Sequence, residues 1–340
     1  MLLKKANVGA LLDAIAANER VFVPADDRGT SRFVAYGEGV APRFDLVNTK
    51  LPPKDLLFPA TETLYRWSRD GADLSIDTAF SATDPFCVFG LRPCDMASVD
   101  RLDAVFLTKG YVDEFYQAKR EEATFVVATC AHPGRECFCD SIATSPHEAP
   151  AAAVLLEDAG DAWVVTPQTE KGTAAVAAWA PYLEEGDAEP VKAACALKVD
   201  MATVPEKLKG MFDDPIWSDI GGQCLTCGTC TFVCPTCYCF NIDQDVREDE
   251  GKRFRCWDSC MFTDYTAMAG GHNPRASKES RVRQRFMHKL SYFNDRYDMN
   301  LCVGCGRCMR DCPAAVDISL IIDRIAASEP AQEKEAMAHA

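Results

Sequence analysis

The sequence has no apolar run approaching about 18 residues, so no helix is expected to cross a membrane. The opening stretch, MLLKKANVGALLDAIAANER, turns polar after Leu3, which argues against a signal peptide. Its leucines and alanines fit an amphipathic surface helix instead. Basic residues are scarce: 36 Lys and Arg stand against 51 Asp and Glu, a formal net charge of -15. Phosphate recognition needs a basic footprint, so nucleic acid is not expected as a partner. No G-x-G-x-x-G follows a strand pattern, which excludes a Rossmann nucleotide site. P-loop, H-E-x-x-H and G-x-S-x-G motifs are absent too, and with them three common hydrolytic and phosphoryl-transfer chemistries.

Cysteine is what the chain has in excess, at 18 of 340 residues. Without a secretory signal, so many thiols point to metal ligation in a reducing, cytoplasmic compartment rather than to disulfides. Two runs stand out. Cys224-Leu-Thr-Cys227-Gly-Thr-Cys230-Thr-Phe-Val-Cys234-Pro235 is followed by Cys302-Val-Gly-Cys305-Gly-Arg-Cys308-Met-Arg-Asp-Cys312-Pro313. Both read C-x2-C-x2-C-x3-C-P, the ligand spacing of bacterial two-cluster ferredoxins. Three closely spaced thiolates wrap one cubane, and the fourth begins the next element and reaches the other. The Pro ends the loop. The runs therefore assign one [4Fe-4S] cluster to Cys224, Cys227, Cys230 and Cys312, and a second to Cys302, Cys305, Cys308 and Cys234. A pair of zinc knuckles is the competing reading, but such sites use paired C-x2-C units across a long gap.

A chain of this length suggests two domains. The expected fold class is α+β. Residues 1–215 form an α/β domain, 216–327 a mostly α-helical two-cluster ferredoxin domain, and 328–340 a Glu/Ala-rich disordered tail. Val21–Val23 and Arg32–Tyr36 read as strands. Phe86–Phe89, a helix from Met96 to Phe106 with Asp95 as its N-cap, and Thr124–Cys130 read as a βαβ unit with parallel strands. Ala153–Leu156 and Trp163–Thr166 read as a hairpin. Residues 168–210, Met261–Met268, Arg281–Phe293 and Val316–Ala327 read as helical.

The βαβ reading puts Cys94 and Cys130 at the carboxyl edge of one sheet, where ligands gather in α/β folds. Cys137 and Cys139 follow closely. These four thiols fit a third iron–sulfur cluster, with zinc and plain buried thiols as the competing readings. Arg92 is expected to donate hydrogen bonds to cluster sulfur. Arg283 and Arg285 lie in a basic segment, Arg275–Lys289, expected to face the anionic clusters and raise their potentials. A solvated face or a docking surface are the alternatives there. Cys237, Cys239, Cys256 and Cys260 read chiefly as packing residues around the clusters and as thiols that hydrogen-bond to sulfide, with a further cluster as the competing reading. Cys87 and Cys195 read as isolated thiols.

The chain resembles the iron–sulfur β subunits of sulfhydrogenases (group 3 nickel–iron hydrogenases) and their counterpart in anaerobic sulfite reductase. The resemblance rests on Leu51-Pro-Pro-Lys-Asp-Leu-Leu-Phe-Pro59 with Glu62, Gly90-Leu-Arg-Pro-Cys-Asp95 and Cys137-Phe-Cys-Asp-Ser141. It continues through Cys227–Cys237, Trp257-Asp-Ser-Cys260, Arg283–Lys289 and Cys302–Cys308. It implies an electron-transfer component of a larger complex. Such a component would carry single electrons from a flavin- and NAD(P)H-binding subunit to a catalytic redox subunit, or the reverse. The competing reading is a self-contained reductase of a small sulfur species at the N-terminal thiols. A purely structural metal protein is a third.

Overall fold

The computed structural model describes residues 1–78, 83–142 and 144–328. Its strands, in chain order, are β1 (Leu2–Lys4), β2 (Arg20–Asp27), β3 (Thr30–Ala35), β4 (Thr61–Asp70), β5 (Asp73–Thr78), β6 (Phe86–Leu91), β7 (Ala123–Ala128), β8 (Val154–Asp158), β9 (Ala162–Pro167), β10 (Phe240–Arg247) and β11 (Glu250–Trp257). They form a seven-stranded sheet, order β1-β9-β8-β7-β6-β2-β3, and a four-stranded sheet, order β10-β11-β4-β5.

In the larger sheet β2, β6, β7 and β8 run parallel, and β1, β9 and β3 add antiparallel edges. Every residue of β6 and β7 is buried, as expected of strands covered on both faces. Alternation divides them. Cys87, Phe89, Val126 and Ala128 pack with α1 (Val8–Ala16) and Trp179. Phe86, Val88, Phe125 and Val127 pack with α2 (Pro93–Phe106) and with Tyr116 of α3 (Glu114–Glu122). The expected βαβ unit and β8–β9 hairpin are present. Asp95 is not the N-cap of α2. Arg92 holds that position, and Pro93 begins the helix, where a missing N–H costs nothing. Asp95 sits one turn in and accepts the Arg92 amide at 3.4 Å.

Residues expected to be helical between 168 and 210 contain two short helices, α4 (Glu170–Ala178) and α5 (Val204–Lys209), with a largely irregular stretch between. The remaining helices are α6 (Ile216–Gln223), α7 (Thr229–Phe232), α8 (Lys278–Met287), α9 (Phe293–Tyr297), α10 (Arg307–Arg310) and α11 (Ile318–Ala326). A π turn, His288–Tyr292, joins α8 to α9. Met261–Met268 is not a helix; only Asp264–Thr266 makes a 3-10 turn. Asp317 caps α11, accepting the Ser319 amide at 2.7 Å.

Helices outnumber strands after residue 216, yet a mostly helical segment is not what residues 240–257 display. They form the β10–β11 hairpin, and β11 pairs with β4 from Cys256 opposite Thr61 to Glu250 opposite Ser68. The smaller sheet thus takes one hairpin from each side of residue 215. A buried network fastens the seam: Arg255 donates to Glu62 at 2.8 Å and pairs with Asp113, and Lys119 pairs with Glu62. The expected tail is described only at Ser328; residues 329–340 lie outside the described residues.

Candidate metal centres

The first cysteine run leaves α6 at Cys224 and turns back at Thr226 and Gly228, both with left-handed backbone. Glycine suits position 228 because φ is +78°, and a Cβ there would also press on the edge of the Phe262 ring. The turn brings Cys224, Cys227 and Cys230 around a cavity that Cys312 closes from the second run. Met261, Val282, Phe286 and Ile318 give it an apolar wall, and Arg285 reaches it. Amides already point at sulfur: Thr226 N donates to Cys224 Sγ and Val316 N to Cys312 Sγ, each at 3.3 Å. The hydrogen bond to Thr229 holds the Cys227 thiol below its ordinary value.

The second run repeats the device, with Gly306 as the left-handed N-cap of α10. α7 and α10 pack together, which exchanges the fourth thiols between the runs. Cys302, Cys305 and Cys308 all lie close enough to Cys234 for their charges to interact. Cys308 also borders the first cavity. Burial pushes Cys302 up to about 11. Cys234 is held well below the ordinary thiol range, first by hydrogen bonding with Cys237 and then, against burial, by the ammonium of Lys289. Lys289 Nζ donates to Cys234 Sγ at 3.3 Å and to Thr236 Oγ1 at 2.9 Å.

Charge supplies the test of fit. Arg285, Lys289 and Lys54 are buried beside these thiols, and among the described residues none pairs with a carboxylate. Arg285 Nη1 has no hydrogen-bond partner. An uncompensated buried charge costs several kcal/mol. Burial works against the charge of Arg285, and the thiols of Cys230 and Cys308 hold it. Cys234 and Cys237 do the same for Lys289. Such a setting fits an anionic group held by thiolates. Among the described residues no three His, Cys, Asp or Glu side chains close on a single-ion site. The thiols ring a wider space instead, which suits a cluster.

The expected arginines divide. Arg285 faces the thiols. Arg283 does not: its Nη1 donates to Phe212 O at 3.0 Å and its guanidinium stacks 3.6 Å from the Phe212 ring. Two residues turn a helix by about 200°, so Arg283 must leave on the other side. Arg281, Arg285 and Lys289 recur at i, i+4 and i+8, and all three are buried. Arg92 lies beside Cys130 but has no donor directed at sulfur. Its guanidinium serves the carbonyls of Phe44 and Leu46 at 2.6 Å and of Thr129 at 3.0 Å.

The N-terminal cysteines do gather beside the second run. Gly304, between Cys302 and Cys305, accepts the Phe138 amide at 3.0 Å. Cys94 packs with Val303 and Cys305. Cys137 and Cys139 pack with Cys195, whose Sγ lies 3.6 Å from that of Cys139. Cys130 is half-buried and opens on a cavity of about 330 Å³ lined by Arg92, His132 and Trp163 among others. Cys237 adjoins Cys234, Cys239 hydrogen-bonds Cys260, and Cys87 lies in the sheet core.

Four residues, one ion pair among them, are not evident as site residues from the sequence. Lys54 Nζ donates to Cys237 O at 2.9 Å and lies 4.1 Å over the Trp257 ring. Arg307 and Asp95 form a wholly buried ion pair at 2.8 Å. Cys195, 3.6 Å from Cys139 Sγ, is the fourth. Lys54 does carry a signal, as the lysine of the Leu-Pro-Pro-Lys-Asp block.

A family model described as a 4Fe-4S dicluster domain matches residues 223–316, which hold both runs. Sulfhydrogenase 2 subunit beta of Pyrococcus furiosus is 30% identical over 317 residues, covering 90% of this chain and 92% of that one. No solved structure matches.

Proposed function

We propose that this chain, which belongs to the sulfhydrogenase β-subunit family, relays single electrons within a redox complex. The relay connects a flavin- and NAD(P)H-linked subunit with a terminal catalyst of the hydrogenase or sulfite- or sulfur-reductase type. The observation that carries this reading is the pairing of two interlocked thiol sets with buried cations that lack carboxylate partners. Bound [4Fe-4S] groups would supply one-electron couples of low potential.

The chain's own residues set the conditions. Cys224, Cys227, Cys230 and Cys312 hold one group, and Cys302, Cys305, Cys308 and Cys234 the other. Arg285 and Lys289 balance the thiolate charge. The first site reaches the surface at exposed Leu225 and Cys227, where a partner can approach. The second lies deeper, against the N-terminal half. A third iron–sulfur group at the N-terminal thiols extends the route in that direction. All 18 cysteines are free thiols, which suits a reducing cytoplasm.

Anaerobically purified protein is expected to contain iron and acid-labile sulfide, to bleach with dithionite and to show interacting EPR signals. Cys305→Ala is expected to lose one cluster's iron and the interaction. Zinc in place of iron, or unchanged iron in Cys305→Ala, would sink the reading.

A further inference from the structure

Five thiols of the N-terminal half, not four, gather beside the second run, and they are not equivalent. Among Cys130, Cys137, Cys139 and Cys195, each pair is close enough for its charges to interact. Cys137, Cys139 and Cys195 are also in van der Waals contact as one cluster. Cys94 stands differently. It begins α2, packs on Val303 and Cys305, and within the thiol group it interacts with Cys130.

We infer that the N-terminal metal site is closed by Cys195, so that Cys130, Cys137, Cys139 and Cys195 are its ligands and Cys94 is not. The inference rests on the proposed presence of an iron–sulfur group in this half of the chain and names its ligands.

The local structure is built to hold this arrangement. Cys195 comes from the irregular stretch between α4 and α5, and that stretch is pinned beside the site. Asp140 accepts the Cys195 amide at 2.9 Å and the Lys198 ammonium at 2.6 Å. His147 Nε2 bonds Ala193 O at 3.0 Å. On the other side, Cys130 N donates to Pro146 O at 2.9 Å and Cys137 N to Gly134 O at 3.0 Å. Backbone from three separate stretches is thereby fixed around four thiols, and the cation beside Cys130, Arg92, is spent on backbone carbonyls. Thiols so placed must lose their protons on ligation, and a metal group is what makes that loss favourable. The 3.6 Å separation of the Cys139 and Cys195 sulfurs is that of two thiols sharing a hydrogen bond, a contact that ligation replaces.

The placement also sets the order of the relay. Cys137 interacts with Cys305 of the second run, so the site adjoins the second cluster's ligands directly. Cys130 opens to solvent at the other end. Cys94 packs on Val303 and Cys305 beside the site, as an apolar neighbour rather than a ligand.

The test uses the full chain, purified anaerobically, with iron and sulfide analysis and EPR of Cys195→Ala, Cys139→Ala and Cys94→Ala. The interacting EPR signals of the two ferredoxin-type sites report that each variant is folded. Cys195→Ala and Cys139→Ala are each expected to lose the iron of one cluster, about a third of the total for a four-iron group and about a fifth for a two-iron one. Cys94→Ala is expected to lose none. Iron loss in Cys94→Ala, or full iron in Cys195→Ala, overturns the ligand set. Full iron in all three variants, with wild type holding only the two ferredoxin-type clusters, overturns the N-terminal site itself. That last result leaves the two-cluster relay standing.

Discussion

Lys289 shows how much one buried side chain decides here. Its ammonium touches Cys234 Sγ at 3.3 Å and, among the described residues, pairs with no carboxylate. Reduction adds negative charge to a cluster, so a fixed cation favours the reduced state and raises the potential. At an effective dielectric of about 20, a unit charge about 6 Å away contributes roughly 3 kcal/mol, or about 100 mV for one electron. Lys289→Met is therefore expected to lower the midpoint potential of the cluster held by Cys234 by about that amount, with full iron retained. Redox titration followed by EPR reads this, and an unchanged or raised potential would refute the assignment. Arg283→Met serves as the comparison and is expected to leave both potentials in place. From the sequence the two cations look alike, both within one basic segment. Only the helical face separates them, and the sequence shows that face once the period is applied to Arg281, Arg285 and Lys289. Lys54 is harder to read, because its role depends on contacts 177 and 183 residues away.

At the scale of elements, what is legible is what is local. β6, α2 and β7 announce themselves through apolar runs and a helical period, and α11 through its apolar stripe after Asp317. The cysteine loops are equally local, since the C-x2-C spacing and the glycines at 228 and 306 dictate the turn. The smaller sheet is not legible. Every residue of β5 is exposed, and β10 is mostly so, leaving no hydrophobic alternation to read. Its order comes from β4 meeting β11, through Arg255 and Glu62, 193 residues apart. Gly304 shows such a long-range constraint acting on a local turn. Its backbone is left-handed, and a Cβ would lie 2.5 Å from the Cys139 amide nitrogen. Gly271 is left-handed too, but with open space around it. Gly271→Ala should cost about 1 kcal/mol for its backbone conformation alone. Gly304→Ala should cost clearly more and shift the EPR signal of the second cluster, because backbone must move against backbone. Equal losses of thermal stability in the two variants would show that the loop yields freely.

In the whole molecule, the metal sites and the two sheets are mechanically one problem. The β10–β11 hairpin lies in the chain between the two cysteine runs, and β10 begins six residues after Cys234. Its partner β4 belongs to the N-terminal half, and Trp257 repeats the link by donating to Phe58 O at 3.0 Å. Asp95 and Arg307 add a second joint, with both side chains at 1% exposure or less. Breaking such a buried pair by removing one partner costs about 3–5 kcal/mol. Metal removal should therefore not stop at residue 216. Cluster binding supplies folding energy to the loops that ligate it, and those loops are tied to the base of the hairpin where Thr231 donates to Ser259 Oγ and Lys54 to Cys237 O. The parallel core is different: β6 and β7 are covered by α1 and α2 and need no metal for their burial. Iron chelation under anaerobic conditions is expected to abolish hydrogen-exchange protection in β10, β11 and β4 together, while amides such as Val88 and Val126 stay protected. Protection lost only after residue 216, with β4 unaffected, would mean that the smaller sheet stands without the clusters. Loss throughout both sheets would mean that the parallel core depends on them as well.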